Sequence, residues 1–280
     1  MNRQIIDHFI KNAIAEDLGD GDHTSQSTIP ADAQGRAQLI IKEDGVLAGV
    51  ELALAMFEAV DASLVTEVML NDGAQVKYGD IALTVAGRTQ SILLAERLVL
   101  NCMQRMSGIA TKTNRIVKLL EPYKAKVLDT RKTTPGLRYI EKWAVRIGGG
   151  VNHRIGLYDM ILIKDNHVDY AGGIANAINA ANNYLNETGR KLEIEIEVRN
   201  FRELDEVLAT GRVNRIMLDN FNLDDLKEAV RRIDNRYTTE ASGGILESNI
   251  ADYAACGVDF VSMGALTHSV KSLDMSLKAY

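Results

Sequence analysis

The sequence is poor in several features that mark particular protein classes. Among 280 residues it has two cysteines, Cys102 and Cys256, and neither belongs to a CxxC pair. This count argues against a disulfide framework and predicts two free thiols in a reducing cytoplasm. The three prolines are scattered and no low-complexity stretch is present, so no long linker is expected.

The chain also lacks a long apolar segment and an excess of positive charge. The longest apolar run, around residues 46–60, contains Glu51 and Glu58, which predicts an amphipathic helix and not a membrane span. The first ten residues, MNRQIIDHFI, do not have the layout of a signal peptide. The formal net charge is -6, whereas nucleic-acid-binding domains carry a basic surface. We therefore expect no membrane and no nucleic-acid partner.

The hydrophobic content is high enough for a large core, and its periodicity changes near residue 110. Hydrophobic residues make up 46% of the chain, which suits one large domain or two unequal ones. Before residue 110, the hydrophobic residues recur with the helical period in some segments and with the strand period in others. Helices are predicted at 3–16, 50–60 and 91–120, and strands at 36–44, 64–70 and 80–87. Gly108 is predicted to break or hinge the long helix.

After residue 124, strands and helices alternate regularly. Strands are predicted at 125–129, 159–164, 191–198, 213–219, 236–242 and 257–263. The helices between and after them are predicted at 137–147, 174–185, 201–210, 223–233 and 247–255. Such alternation predicts parallel βαβ units. With about six units, two architectures stay open: an incomplete or six-stranded α/β barrel, and an open doubly wound sheet.

Polar residues collect at the carboxyl ends of these strands, where parallel α/β folds bind ligands. We therefore expect one shared pocket. Its cations would be Arg131 and Lys132 after Thr130, Lys164 after the second strand, and His153 and Arg154 after the three glycines of GGGVNHR. A positive cluster in an acidic protein indicates an anionic ligand, because arginine forks suit planar carboxylates and phosphates.

Two glycine turns and two acids complete the predicted pocket. The turns ASGGI, with Ser242, Gly243 and Gly244, and SMGAL, with Met263, Gly264 and Ala265, lie between strands and helices and indicate phosphate binding. The acids Glu197 and Asp219 end neighbouring strands, which suggests Mg²⁺ held partly by the substrate.

The alternation of LEIEIEV places Glu193, Glu195 and Glu197 on one face of a strand. We predict that this face is the barrel interior, because Glu197 then joins the other strand ends. A buried Glu195 would need a cation such as Lys164 or Lys132. The alternative is a solvated outer face, which would deprive Glu197 of its role.

Taken in order, these motifs resemble those of the quinolinate phosphoribosyltransferase family over nearly the whole chain. The most specific segments are DTRKTTPGLR and GGGVNHRIGLYDMILIKDNH. They are accompanied by EDLGDGDHTS, AERLVLN, IEIEV, IMLDN, EASGGI and SMGALTHS. The resemblance implies an N-terminal open α/β sandwich at 1–110, a six-stranded α/β barrel at 111–267, and a C-terminal tail at 268–280 that packs back on the sandwich.

The resemblance also implies an activity and roles for residues. Quinolinate and phosphoribosyl pyrophosphate would give nicotinate mononucleotide, pyrophosphate and CO₂, with Mg²⁺ as cofactor. A homodimer is implied, with Arg97 reaching the partner's site. The cationic set would bind quinolinate and pyrophosphate, and Lys132, Glu197 and Asp219 would be catalytic. Thr130, the serine and glycines of the 242–244 turn, and Met263, Gly264 and Ala265 would contact substrate.

Three rival functions differ in what they require. A Schiff-base aldolase would use Lys164 as its nucleophile and would be trapped by borohydride. A phosphate-ligand sensor, or a relative associated with molybdenum transport, would not need the full dicarboxylate-binding set. A nicotinate phosphoribosyltransferase would bind a monocarboxylate and release no CO₂.

Overall fold

The computed structural model describes residues 3–280, which form two compact units. The first contains the described residues up to Asn114, with Thr134–Gly149 and Ser269–Tyr280. The second contains Arg115–Thr133 and Gly150–His268. No helix within residues 3–280 combines the length and the apolar character that a membrane span requires.

A four-stranded antiparallel sheet forms the centre of the first unit. Its strands are β1 (Gln34–Ile41), β3 (Val65–Val68), β5 (Ile81–Arg88) and β12 (Met275–Ala279), in the order β12-β1-β5-β3. Ala37, Leu39 and Ile41 alternate in β1 and are buried, as expected for a strand with one face on a core. A separate antiparallel pair consists of β2 (Gly45–Val46) and β4 (Gln75–Val76).

Five helices accompany these strands: α1 (Arg3–Leu18), α2 (His23–Thr28), α3 (Val50–Val60), α4 (Thr89–Leu120) and α5 (Arg138–Ile147). The boundary between the two units falls within α4. The predicted break at Gly108 is wrong, since α4 is continuous through it. A Cβ at Gly108 would collide with the carbonyl oxygen of Lys271. Gly108 therefore permits close backbone packing and does not end the helix.

All six predicted strands of the second unit are present, and they form one parallel sheet. They are β6 (Lys126–Leu128), β7 (Ile161–Ile163), β8 (Ile194–Val198), β9 (Arg215–Asp219), β10 (Thr238–Ser242) and β11 (Phe260–Ser262). Their order is β6-β11-β10-β9-β8-β7. Strands β7 to β11 are thus neighbours in chain order, and the last strand, β11, pairs with the first, β6, as in a barrel. The doubly wound alternative is wrong, because it would reverse direction within the sheet.

The barrel is open between its first two strands, β6 and β7. At this opening Val151 makes an isolated parallel bridge with Leu128. The helices that follow β7 in chain order are α6 (Asp165–Ala171), α7 (Ile174–Thr188), α8 (Phe201–Thr210), α9 (Leu223–Ile233), α10 (Ile250–Ala255) and α11 (Ala265–His268). Asn200 and Asn222 cap α8 and α9 by accepting backbone N–H groups, as short polar side chains do at helix starts.

Candidate active site

A cavity of about 610 Å³ lies at the carboxyl ends of the barrel strands. Its volume is typical of a small-molecule site. All the predicted site residues except Arg97 and Met263 line it: Thr130, Arg131, Lys132, His153, Arg154, Lys164, Glu197, Asp219, Ser242, Gly243, Gly244, Gly264 and Ala265. Residues far apart in the chain meet there because parallel strands end at one edge.

Two arginines, Arg131 and Arg154, line this cavity. Arg154 is 8% exposed, and one guanidinium nitrogen donates to the carbonyl oxygen of Met160 at 3.3 Å. Burial lowers the pKa of Arg154, and the positive charge of Arg131 lowers it further. An anion bound between the two guanidinium groups would relieve this repulsion.

His153 lies beside these arginines, and its partners come from three segments. Its backbone N–H donates to Oδ1 of Asp129 at 2.9 Å. Its Nδ1 accepts the backbone N–H of Arg154 at 2.7 Å, and its Nε2 lies 2.9 Å from Oε2 of Glu195. Asp129 is fully buried and also accepts from the amide of Asn152. The site prediction missed Asp129, although it stands directly before Thr130.

Glu195 lies inside the barrel as predicted, but its partner is different from the expected one. Glu195 and Glu240 are fully buried, and Arg215 contacts Glu240 at 3.1 Å. Burial raises the pKa of Glu195 to about 7 and that of Glu240 to about 8. Glu195 faces His153 and not Lys164 or Lys132, because the segment after residue 150 reaches the barrel interior. Glu193 precedes β8 and is exposed, so its predicted inward position is wrong.

Glu197 and Asp219 end the neighbouring strands β8 and β9. Burial raises the pKa of Glu197, and the charge of Asp219 raises it further. The pKa of Asp219 is also raised, mainly by burial. A bound cation would offset the cost of holding these two carboxylates away from solvent. This donor set suits a hard cation such as Mg²⁺, which prefers carboxylate oxygens together with substrate oxygens.

The glycine turns bring backbone close to the cavity. Gly243 has a φ of +96°, and a Cβ there would collide with the side-chain amide of Asn220. A Cβ at Gly264 would lie 3.0 Å from Cδ of Lys132, so this glycine leaves space for the lysine chain. The predicted helix starts differ: α10 begins at Ile250 and α11 has four residues. The 243–244 turn therefore lies apart from any helix terminus.

Two predicted site residues lie elsewhere. Arg97 is exposed on α4 of the first unit. Met263 is buried to 3% exposure, and its backbone N–H donates to the carbonyl oxygen of Leu128 at 2.9 Å. Met263 therefore contributes to the barrel wall between two residues that line the cavity. The prediction had also not included Asp165, Asn220, Glu240 and His268, which line the cavity as well.

Cations, acids and glycines line different sides of the cavity. Arg131 and Lys132 follow β6, and Lys164 follows β7, which are the strands on either side of the opening. The acids Glu197 and Asp219 lie at the carboxyl ends of β8 and β9. The glycine turns follow β10 and β11, which complete the circle back to β6. The cavity thus offers a cationic side, an acidic side and a glycine-rich side to one ligand set.

Comparison with known proteins identifies the family. The model of the quinolinate phosphoribosyl transferase N-terminal domain matches residues 22–107, and that of the C-terminal domain matches residues 109–278. The chain is 48% identical to the chloroplastic nicotinate-nucleotide pyrophosphorylase [carboxylating] of Arabidopsis thaliana, over 96% of this chain and 81% of that protein.

Solved structures agree with the sequence match. NadC from Streptococcus pyogenes superimposes with a TM-score of 0.93 at 38% identity, covering 99% of this chain and 97% of that one. The nicotinate-nucleotide pyrophosphorylase from Francisella tularensis gives 0.92 at 38% identity, with 100% and 98% covered. Both domain models and these full-length matches show that the chain belongs to the quinolinate phosphoribosyltransferase family.

Proposed function

We propose that this protein transfers the phosphoribosyl group of phosphoribosyl pyrophosphate to quinolinate and releases CO₂, giving nicotinate mononucleotide and pyrophosphate. The observation that carries the proposal is that Arg131 and Arg154 both line the cavity at the carboxyl ends of the barrel strands, where the charge of Arg131 contributes to lowering the pKa of Arg154. Two guanidinium groups on the wall of one cavity favour an anionic ligand. Quinolinate, with two adjacent carboxylates, suits this arrangement.

The cationic side of the cavity would bind the pyridine dicarboxylate. Arg131 and Arg154 would hold the carboxylates by paired N–H donors, with His153 and Lys164 beside them. This placement leaves the ring nitrogen directed toward the acidic side, where Glu197 and Asp219 lie. Substrate positioning of this kind converts an encounter of two molecules into an intramolecular step.

The acidic and glycine-rich sides would bind the ribosyl donor. Glu197 and Asp219 would stabilise positive charge on the ribose as its bond to pyrophosphate weakens. We propose that the same two carboxylates hold Mg²⁺ together with donor oxygens. When bound, Mg²⁺ would neutralise part of the charge on the departing pyrophosphate. Lys132 would contribute a further positive charge there, beside Gly264 and Ala265.

The chemical steps balance without an oxidant or a covalent enzyme intermediate. The lone pair of the pyridine nitrogen forms a bond to the anomeric carbon, while the bond from that carbon to pyrophosphate oxygen breaks. The ring nitrogen is now positive. The bond from the adjacent ring carbon to its carboxylate then breaks, and its electron pair stays on that carbon beside the positive nitrogen. A proton from water neutralises it. The protein contributes positioning and charge.

Labelled quinolinate provides the direct test. Carboxyl-labelled quinolinate should release labelled CO₂ only when both phosphoribosyl pyrophosphate and Mg²⁺ are present. Nicotinate serves as the control acceptor, because it carries one carboxylate and loses none. Nucleotide formation from nicotinate with no turnover of quinolinate would reject the proposal. Borohydride inactivation in the presence of a carbonyl substrate would instead support a Schiff base on Lys164.

We further propose that the protein acts as a homodimer in which Arg97 completes the partner's cavity. Arg97 is exposed on α4, where an arginine is available to a second copy. Complementation tests this directly. Arg97→Ala and Arg131→Ala variants, each inactive alone, should regain about a quarter of wild-type activity after mixed refolding, because half the dimers then hold one intact site. Absence of recovery would exclude sharing of the site between copies.

We also propose that the protein functions in a reducing compartment, the cytoplasm. Both cysteines are free and buried, and burial raises the pKa of Cys102 to about 12. A neutral buried thiol reacts slowly with oxidants. Mass measurement of the protein isolated without reductant should find two unmodified thiols, and an oxidised pair would contradict the assignment.

A further inference from the structure

At the base of the cavity, where Glu240 is one of the lining residues, the barrel interior contains a buried group of charged residues that the proposed reaction does not itself use. Glu195 and Glu240 project from β8 and β10 and are fully buried. Arg215 on β9, the strand between them, has a side chain that is 14% exposed. A buried charge that loses its partner is strongly destabilising. The contacts of these residues with one another are therefore required for the barrel interior to be stable.

The group forms a continuous chain of contacts that ends at the cavity wall. Arg215 lies over the ring of Phe260 at 4.7 Å and contacts Glu240 at 3.1 Å. One carboxylate oxygen of Glu240, one of Glu195 and a ring nitrogen of His153 all lie within 4.8 Å of one another. Oε2 of Glu195 then lies 2.9 Å from Nε2 of His153.

The orientation of the His153 ring follows from these contacts. Nδ1 accepts the backbone N–H of Arg154 at 2.7 Å, so it carries no proton. The ring proton of neutral His153 must then be on Nε2, which faces Glu195. Nδ1 is held by its hydrogen bond from the Arg154 N–H, Nε2 lies against the Glu195 carboxylate at 2.9 Å, and the side chain is 6% exposed, so rotation of the ring would break the hydrogen bond at Nδ1. One residue further on, the Arg154 guanidinium reaches the cavity.

We propose that Glu195, supported by Glu240 and Arg215, is a positioning residue that holds the His153 ring and, through Nδ1, the backbone of Arg154 in place for the dicarboxylate. Glu195 is not among the residues that line the cavity, so it acts through His153 and not by contact with substrate. The inference rests on the proposed function. It assigns an effect on quinolinate binding to a residue of the barrel interior.

Glu195→Gln tests this role with a matched control. Gln keeps the size and one oxygen acceptor but removes the charge that orients the ring. We expect KM for quinolinate to rise about tenfold, with KM for the ribosyl donor changed by less than about twofold, since small displacements of binding groups have large kinetic effects. Glu203→Gln is the control. Glu203 is also buried and pairs with Arg199 at 2.6 Å, outside the cavity, so its loss should lower stability and leave both KM values unchanged.

Equal KM values for quinolinate in Glu195→Gln and the wild type would overturn the proposal. The wild-type assay distinguishes this from failure of the proposed function: no CO₂ release from labelled quinolinate would reject that function, whereas a wild-type rate in the variant rejects only the positioning role. If Glu195→Gln does not fold, Arg215→Lys replaces it. This variant keeps the charge but changes the contact with Glu240, and it should raise KM for quinolinate about threefold.

The wild-type protein offers a second test that needs no folded variant of Glu195. The chain has five histidines, and a His153→Gln spectrum identifies the His153 ring signals by their absence. Nitrogen NMR of the wild type at neutral pH should show Nδ1 unprotonated and Nε2 protonated. A proton on Nδ1 with Nε2 bare would contradict the arrangement, because the Arg154 amide would then have no acceptor.

Discussion

The backbone N–H of His153 donates a hydrogen bond of 2.9 Å to Oδ1 of Asp129. Asp129 directly follows the first barrel strand, β6, and His153 lies 24 residues later, after the three glycines at 148–150. The other carboxylate oxygen accepts from the side chain of Asn152. A single buried carboxylate thus sets the position of the segment that carries His153 and Arg154.

Asp129→Asn should weaken both stability and substrate binding. The amide cannot accept from both partners, so about 1 to 3 kcal/mol of unfolding free energy should be lost. Displacement of residues 152–154 should also raise KM for quinolinate about tenfold. Urea unfolding and steady-state kinetics measure the two effects. Asp259→Asn is the control: Asp259 accepts from Thr239 at 2.9 Å but does not line the cavity, so it should lose stability alone.

Arg131→Ala should fold normally and lose quinolinate turnover. Arg131 is exposed within the cavity, so its removal should leave no cavity in the core. We expect kcat/KM for quinolinate to fall about 100-fold. Arg231→Ala is the control, because Arg231 is exposed on α9 and pairs with Glu228 away from the cavity. Unchanged turnover and quinolinate affinity in Arg131→Ala would remove Arg131 from the binding site.

Gly243→Ala should weaken binding of the ribosyl donor. Its φ of +96° disfavours any side chain, and the new Cβ would collide with Asn220 next to Asp219. We expect KM for phosphoribosyl pyrophosphate to rise at least about tenfold. Gly244→Ala provides the comparison, since φ is +60° and no atom lies within 4 Å of its Cβ position. Similar kinetics for both variants would show that the collision has no functional effect.

Gly108→Ala should destabilise the protein although alanine favours helices. Relief of the glycine entropy cost would contribute about 1 kcal/mol of stability. The collision of the new Cβ with the Lys271 carbonyl oxygen should outweigh this and produce a net loss of about 1 to 3 kcal/mol. Asn101→Ala, at an exposed position of the same helix, should be neutral or stabilising. A stabilised Gly108→Ala would restore the view of Gly108 as a flexible break.

The buried carboxyl pair should make stability depend on pH. Burial raises the pKa of Glu195 and Glu240 from 4.5 to about 7 and about 8, while His153, Arg215 and Arg154 partly oppose the shift. Between the ordinary pKa of 4.5 and the raised values of about 7 and about 8, the folded chain binds more protons than the unfolded chain. The free energy of unfolding should therefore fall as pH rises through this window, by up to about 1.4 kcal/mol per pH unit for each proton lost.

Denaturant unfolding at about pH 5 and about pH 8 measures this slope. A Glu195→Gln, Glu240→Gln double variant should flatten it. Glu203→Gln should not, because the pKa of Glu203 lies below its ordinary value: burial raises it, but the hydrogen bonds and charge of Arg199 together outweigh burial. An unchanged slope in the double variant would contradict the assignment of the protons to this pair.

Local pattern was sufficient to predict most elements and the positions of the ligand-binding ends. The strands β6 to β11 alternate with helices, and periods of two and 3.6 depend only on neighbouring residues. Because every parallel strand ends at the same edge, Arg131, Lys164 and Asp219 could be expected together from their places in sequence. The segments DTRKTTPGLR and GGGVNHR are continuous in sequence, so the resemblance that they carry led to the correct family without knowledge of the fold.

Partners of buried groups depend on tertiary structure, and there the predictions failed. Glu195 was expected to face Lys164 or Lys132, but it faces His153, because residues 150–154 enter at the opening between β6 and β7. The local pattern predicts a hinge at Gly108. Its true role is to allow close packing against Lys271, which lies far along the chain and is therefore not visible in the local pattern. The sequence alone thus determined the elements and the chemical types at the cavity. Only the folded chain decided which charges pair, since pairing energy depends on distances between residues that no local pattern encodes.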